Sequence, residues 1–336
     1  MRIGSLTLVL CLVSFPSLVV AADPVASSND LRTRGDYSGA ESLLRSGLND
    51  PSLDHHSRIR LLNTLGDLLR EEDRTSEARS CFEQALATKG ISWDQLVGAT
   101  LGLADIDRQE HAWDSSYKRW NEALDIAVRH QDKVLESFAL RGMGEMWLNR
   151  GQTSRAEPLL KRSLSLVESD PRAERSHIAT AMDSLASLCL AEKRTGTAED
   201  LWTRELQLDR SLFGDYHPQT AVVLAHLAEL SSLNGDFTRA RDYSRQVLSI
   251  MESRFPHDSL AVGAAFAAEA SVEQRAREWQ ASADLYAKAL AIFKSVRDAS
   301  GTLQKVAAMY ANVLSQLHRG REAKQVIAEV TAFNSK

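Results

Sequence analysis

Cysteine is scarce in this chain: Cys11, Cys81 and Cys189 are the only three in 336 residues. A small fold stapled by disulfides is therefore excluded. Proline is almost as rare, with seven residues placed mostly in loops or near expected helix starts, so long helical runs go uninterrupted. Charge of one sign never accumulates. Forty Lys and Arg stand against 45 Asp and Glu, a formal net charge of -5, with no basic cluster. That argues against nucleic acid and anionic membrane surfaces as partners, because both reward clustered Lys and Arg. After Val20 no stretch holds about 18 apolar residues in a row, so the rest of the chain carries no membrane span. Chemistry has no signature either. No His-Glu-x-x-His, Gly-x-Ser-x-Gly or phosphate-binding glycine loop occurs, and no local motif supports a Cys or His nucleophile. The chain is expected not to be an enzyme and to need no cofactor and no metal.

The first 22 residues differ from the rest. Met1–Arg2 is a short basic start, Ile3 to Val20 is apolar, and Val20–Ala21–Ala22 supplies small residues for cleavage before Asp23. This is the pattern of a secretory signal peptide, without twin arginines or a lipoprotein cysteine motif around Cys11. The expected product is exported, periplasmic or secreted, with no membrane insertion after cleavage and a formal charge of -6 once Arg2 is gone. None of the eight Asn lies in an Asn-x-Ser/Thr sequon, which fits a bacterial exported protein.

What the chain does have is a period. Ala40, Ala78, Ser116, Ala156, Ala198, Ala240, Ser282 and Ala323 recur at steps of 38, 38, 40, 42, 42, 42 and 41. Such a period marks a solenoid of repeated supersecondary units. Four residues after most markers comes a bulky side chain: Leu44, Phe82, Trp120, Leu160, Trp202, Tyr286 and Ile327, with Ser244 the exception. Ala85, Ala123 and Ala289 follow three later, and spacings of four and seven form one helical stripe. Five residues before a marker the chain breaks, with Gly35, Gly151 and Gly235 suited to a left-handed turn and Asp36, Asp236 and Thr153 as helix N-caps. Upstream lies another helix with a small residue at its contact point, as in Leu65–Gly66–Leu69 and Met143–Gly144–Trp147. The unit is helix, tight turn, helix, loop.

These phrases resemble the tetratricopeptide repeat: Leu65–Gly66, Leu69, Ala78, Phe82 and Ala85 follow that motif nearly position for position. The longer later units resemble its kinesin-light-chain subtype. Gly214–Asp215–Tyr216–His217–Pro218, followed by Ala221, Leu224, Leu227 and Ala228, looks like the subtype's His-Pro phrase, and Ala156–Glu157–Pro158–Leu159–Leu160 is similar to its second helix. Where the subtype often places adjacent Asn residues, this chain has Ala225–His226 and Asp183–Ser184, so the subtype's ligand chemistry does not carry over. The resemblance implies an all-α, right-handed helix-turn-helix superhelix of about seven to eight units filling 23–336. The units run roughly 26–50, 57–90, 93–130, 133–169, 174–213, 219–254, 258–297 and 300–333. Pro158 is expected near the first turn of its helix. A two-residue insertion is expected in the turn before Ser282, since counting forward from His257 and back from Ser282 gives different contact pairs. Cys81 and Cys189 lie three units apart. Units touch only their neighbours and a bridge needs Cα atoms within about 7 Å, so both are expected as buried free thiols.

Nine histidines invite a metal reading, and His177, His217 and His257 are 40 residues apart. Adjacent units stack about 10 Å apart, too far for shared coordination, so these are expected as loop and helix-start residues. His55–His56 is expected in an exposed connecting loop. In a tetratricopeptide-like stack the first helix of each unit lines the concave side. Residues out of phase with its packing stripe give a candidate groove: Asn63, Asp67 and Arg70; Leu101, Asp105 and Arg108; Phe138, Arg141, Glu145 and Asn149; Asp183 and Ser187; Val222, His226 and Glu229; Lys305, Asn312 and Gln316. No Asn and Lys/Arg pairing repeats there, which argues against the clamp that grips a peptide carboxylate in the family's chaperone-binding members. The expectation is a non-enzymatic scaffold that presents the groove to a protein or peptide. The alternative is a structural component that self-associates end to end in an envelope or extracellular assembly.

Overall fold

The computed structural model describes residues 23–33, 36–296 and 301–334; the expected leader at 1–22 and Gly35 lie outside them. Sixteen α-helices follow one another, with no strand among the described residues. They pack as eight successive pairs: α1 (Pro24–Thr33) with α2 (Tyr37–Leu48), α3 (His55–Glu71) with α4 (Thr75–Ala87), α5 (Trp93–Gln109) with α6 (Trp113–Arg129), and α7 (Lys133–Asn149) with α8 (Thr153–Ser169). Then come α9 (Arg175–Ala191) with α10 (Thr195–Phe213), α11 (Pro218–Leu233) with α12 (Phe237–Arg254), α13 (Leu260–Arg275) with α14 (Trp279–Ser295), and α15 (Thr302–Gln316) with α16 (Gly320–Asn334). Each pair packs on the next, and first helices also touch first helices, as α3 does α5 and α7 does α9. This is an α-solenoid.

The repeating contact is made at the marker residues. All eight are buried, and each of the six from Ala78 to Ser282 follows by twelve residues a small residue on its partner helix: Gly66, Ala104, Gly144, Ala186, Ala228 and Ala270. The two serines among the markers spend their hydroxyls on that partner, Ser116 Oγ donating to Ala104 O and Ser282 Oγ to Ala270 O, both at 2.8 Å. The bulky residue four later is seated by glycine. A Cβ on Gly66 would stand 2.7 Å from the Phe82 ring, and one on Gly102 of the following unit 2.3 Å. Phe82 is thus sandwiched with no exposed surface, a burial that contributes about 1.5–3 kcal/mol. Trp120 closes on Gly142 in the same way.

The turns inside the pairs also repeat. Their middle residue is left-handed in Asp73, His111, Gly151, Lys193, Gly235, Arg277 and His318, with φ between 58° and 79°. The next N–H returns to a carbonyl five residues back, as Arg194 N does to Cys189 O at 2.8 Å and Asp236 N to Ser231 O at 2.9 Å. Gly151 and Gly235 fill this slot without the steric penalty of a Cβ. Asp36 and Asp236 cap α2 and α12 as expected, accepting from Gly39 N at 2.8 Å and Arg239 N at 3.1 Å.

Several local expectations are corrected. Thr153 is not a cap but the first helical residue of α8, whose N-cap is Gln152 without a side-chain bond. Pro158 lies inside that helix, in its second turn, and is tolerated because it is exposed, so water can reach the Ser154 carbonyl it leaves unpaired. His55 and His56 form the exposed first turn of α3, capped by Asp54, rather than a loop. The turn before Ser282 has no insertion: Ala276–Glu278 is three residues, like Glu192–Arg194 and Asn234–Asp236. The phase differs because His257 belongs to the preceding linker and Ser259 caps α13, whereas His217 itself caps α11. Ile327 does not pack; it is 41% exposed, because among the described residues no later helix covers α16. Cys81 and Cys189 are buried free thiols on α4 and α9.

Candidate functional site

The first helices place six of the candidate groove residues along one charged seam. Each acid on it has a base one turn away on its own helix: Asp67 with Arg70 at 3.6 Å, Asp105 with Arg108 at 3.5 Å, and Glu145 with Arg141 at 2.7 Å. Such pairing follows from i,i+3 and i,i+4 spacing. The seam continues across units, because Ser184 Oγ donates to Glu145 Oε1 at 2.7 Å. Burial works against Glu145, but Arg141, Ser184 and Arg108 hold its carboxyl below the ordinary range. Arg141 also feels Asp105 and Asp183, which with Glu145 keep its charge in place against burial. Asp67 differs: desolvation in the crowded seam outweighs Arg70 and Arg32 and pushes it up to about 6, although 46% of its side chain still meets solvent.

Other candidates have structural duties or lie apart. Asn63 Nδ2 donates to Gln95 O at 3.2 Å and ties α3 to α5. Phe138 meets His177 edge to face at 4.8 Å between ring centres. Asn149 is exposed at the end of α7. Leu101 belongs to the core, packed near Trp120 and Met143. Asn312 Oδ1 accepts from Gln274 Nε2 at 3.3 Å, linking α15 to α13, and Lys305 and Gln316 are exposed. His226 and Glu229 line a 260 Å³ cavity with Arg275 and Ser271.

The larger cavity, about 820 Å³, takes only Asp183 and Val222 from the groove set. It lies against α9, α10 and α11. Its opposite wall comes from the start of the chain, with Asn29, Arg32 and Tyr37 of the first unit and Glu71 of the second. The winding of the intervening units brings these walls together. Arg32 is paired with Glu71. Tyr37, Phe213, Phe255, Val222 and Val223 supply apolar surface. His177 and His217 meet here at the starts of α9 and α11, and each Nδ1 accepts a backbone N–H, from Glu174 at 3.3 Å and Gln219 at 3.1 Å. His217 caps α11 and Pro218 opens it; that is the local work of the His-Pro phrase. His257 does not line this cavity. Among the described residues no group of three or more His, Cys, Asp or Glu is placed to hold a metal ion.

Asp183 forms the cavity's fixed charge. Trp202 Nε1 donates to its Oδ1 at 2.9 Å, and His226 Nδ1 stands 3.0 Å from the same oxygen. Burial opposes ionisation, yet His226, Trp202 and Arg141 hold Asp183 below its ordinary range. Two further carboxylates, absent from the groove set, face the cavity from α10. Glu205 and Asp209 are one turn apart, 6% and 1% exposed. Neither Asp209 oxygen nor Glu205 Oε2 finds a hydrogen-bond partner. Burial, reinforced by Asp183 and Asp209, pushes Glu205 up to about 9, and burial with Asp183 pushes Asp209 up to about 6.

The repeat itself carries a signal for this pair. Seven residues after the marker the other units place Gly47, Ala85, Ala123, Ser163, Val247, Ala289 and Val330; here stands Glu205. Eleven after it Ala127, Val167, Met251 and Phe293 correspond to Asp209, whereas Pro51 and Lys89 lie beyond the ends of α2 and α4 and Asn334 ends α16. Even polar Ser163 is satisfied in its slot, through a reciprocal pair with Ser137 at 2.8 Å. A break of the packing pattern at one unit is where a site is expected.

Residues 177–253 match the family model of the tetratricopeptide repeat. No curated protein matches the sequence. Several solved structures share the fold. BtubC (BKLC) from P. vanneervenii is 14% identical, with a TM-score of 0.59 covering 67% of this chain and 91% of that one. The nearly identical TPR-like repeats of a putative kinesin light chain from Podosopora anserina are 16% identical, with a TM-score of 0.54 covering 62% and 99%. A Rap protein complexed with competence and sporulation factor is 10% identical, with a TM-score of 0.59 covering 93% and 96%. The fold is a tetratricopeptide-like α-solenoid, similar to that of these kinesin-light-chain-like structures.

Proposed function

We propose that the chain is an exported, non-enzymatic scaffold that binds an extended peptide, or such a segment of a protein partner, in its concave channel. One observation carries the reading. The 820 Å³ cavity is closed from two sides by distant units and mixes apolar walls with buried, directional polar groups, the composition of a ligand site. The solenoid fold supports it, since such stacks present long concave surfaces to partners. One of the structures of like fold that cover most of both chains, the Rap protein, is complexed with competence and sporulation factor. Export rests on the apolar leader and its small-residue end at Ala22. Among the described residues no helix is long and apolar enough to cross a membrane.

The test fills the channel. Val222 lines the cavity and is 43% exposed, so Val222→Trp adds bulk there without entering the core. Wild-type protein is expected to retain members of a random hexapeptide library. The variant should retain about tenfold less at an unchanged helical signal. Equal retention by the variant places binding elsewhere. For export, amino-terminal sequencing of protein recovered from outside the cytoplasm should begin at Asp23, and a start at Met1 overturns that part.

A further inference from the structure

We propose that Glu205 and Asp209 are the docking point for an organic cation, an ammonium or guanidinium carried by the peptide that occupies the channel. The proposal rests on the channel reading above and names the chemistry that fills its acidic corner. Three observations converge. Both side chains are more than nine-tenths buried, and both face the cavity. Three of their four carboxylate oxygens have no partner. Glu205 occupies a slot that the other units fill with small or apolar residues, and Asp209 one that holds Ala127, Val167, Met251 and Phe293 in four of them, so packing alone does not call for the pair.

A buried carboxylate without a partner costs stability and persists where something else rewards it. The groups around the pair do not supply a counter-charge. Asp183 on α9 is an acid already engaged with Trp202 and His226. His177 on α9 and His217 on α11 each use Nδ1 as an acceptor for a backbone N–H, which an imidazolium cannot do. Arg32, across the channel, is held by Glu71. A ligand cation meets two acceptors one helical turn apart, with aromatic Phe213 on the same helix beside them. Charge-assisted hydrogen bonds formed there, away from bulk water, are about twice as strong as neutral ones. Burial that now keeps Glu205 protonated is offset once the cation arrives.

The cation has two sources, a peptide amino terminus or a Lys or Arg side chain, and the experiment separates them. Full-length mature protein is exposed to a random hexapeptide library with free amino termini and to the same library acetylated. Retained peptides are sequenced by mass spectrometry. Retention lost on acetylation assigns the amino terminus; Lys or Arg enrichment at one position that survives acetylation assigns the side chain. Glu205→Gln with Asp209→Asn keeps the shape and removes the charge. It should reduce either preference about tenfold while peptides without that preference are still retained. Should the double variant lose its helical signal, Asp209→Asn alone carries the same comparison. An undiminished preference in the variant, or wild-type retention without any cation preference, overturns this proposal and leaves the channel reading standing. Retention of nothing by the wild type overturns both.

Discussion

The units around Phe82 and Trp120 and the unit built by α9 and α10 use one set of slots for opposite ends. In the earlier units Phe82 sits between Gly66 and Gly102, Trp120 sits on Gly142, and Ala85 and Ala123 fill the next slot of the stripe with no exposed surface. Their buried acids are answered. Asp107 accepts from Arg79 and Arg119, both at 2.9 Å, and from Ser115; burial works against its charge, yet these partners hold it below the ordinary range. In the later unit Trp202 occupies the Phe82 slot but turns its indole N–H to Asp183, and the alanine slot holds Glu205. The difference teaches that a repeat protein displays its own control. Where one unit departs from the packing its siblings share, the departure marks what packing did not select.

The comparison breaks most severely if the acid is moved. Ala123→Glu places a carboxylate in the same slot of α6, where Ala123 has no exposed surface, and should cost about 3–5 kcal/mol in chemical denaturation. If that variant is as stable as wild type, the slot does not discriminate. Next in size, Gly66→Val drives a side chain into the Phe82 ring and should cost about 1–3 kcal/mol. Hydrogen exchange should report the loss mainly in the flanking units, because coupling in such arrays runs between neighbours. The acid pair itself gives a gain. Glu205 and Asp209 sit near 9 and 6 when folded, against ordinary values of 4.5 and 3.8. The folded chain therefore keeps protons that the unfolded chain gives up. The pair's contribution to stability should fall as pH rises from about 4 toward 9. Glu205→Gln with Asp209→Asn should flatten that slope and be more stable at pH 8 by about 1–2 kcal/mol, the advantage vanishing near pH 4. A parallel pH profile would show that the pair is not held protonated. The smallest effect tests the turns: Gly235→Ala should cost about 1 kcal/mol, bringing this turn level with the one at Lys193, which already accepts a Cβ at φ 61°.

Much of the fold was legible because its signals are local. The small marker residues, the bulky stripe and the Asp36 and Asp236 caps each depend on spacing within one helix or turn. The misreadings came where a local rule has several solutions. A left-handed turn accepts Asp73 or Lys193 as well as glycine, an exposed proline survives in a second turn, and a helix starts on Ser259 where its sibling starts on His217. The charged seam of Asp67, Asp105, Arg141 and Glu145 follows from helical phase. That these groups answer one another across units does not, because inter-unit distance is not written in spacing. Glu205 and Asp209 escaped a search confined to first helices. Setting each unit under the next would have exposed them, since no other unit has an acid in either slot.

Opposite walls of the large cavity belong to segments separated by well over a hundred positions in the chain, Arg32 on one side and Gln219 on the other. The aperture is therefore not set by any joint that borders it. Each helix pair between them adds a small rotation, so a slight change of packing at a remote contact such as the Gly142–Trp120 seat would be carried forward as by a calliper's arm to its jaws. If the proposed peptide binds there, grip on it is adjustable from places that never touch it.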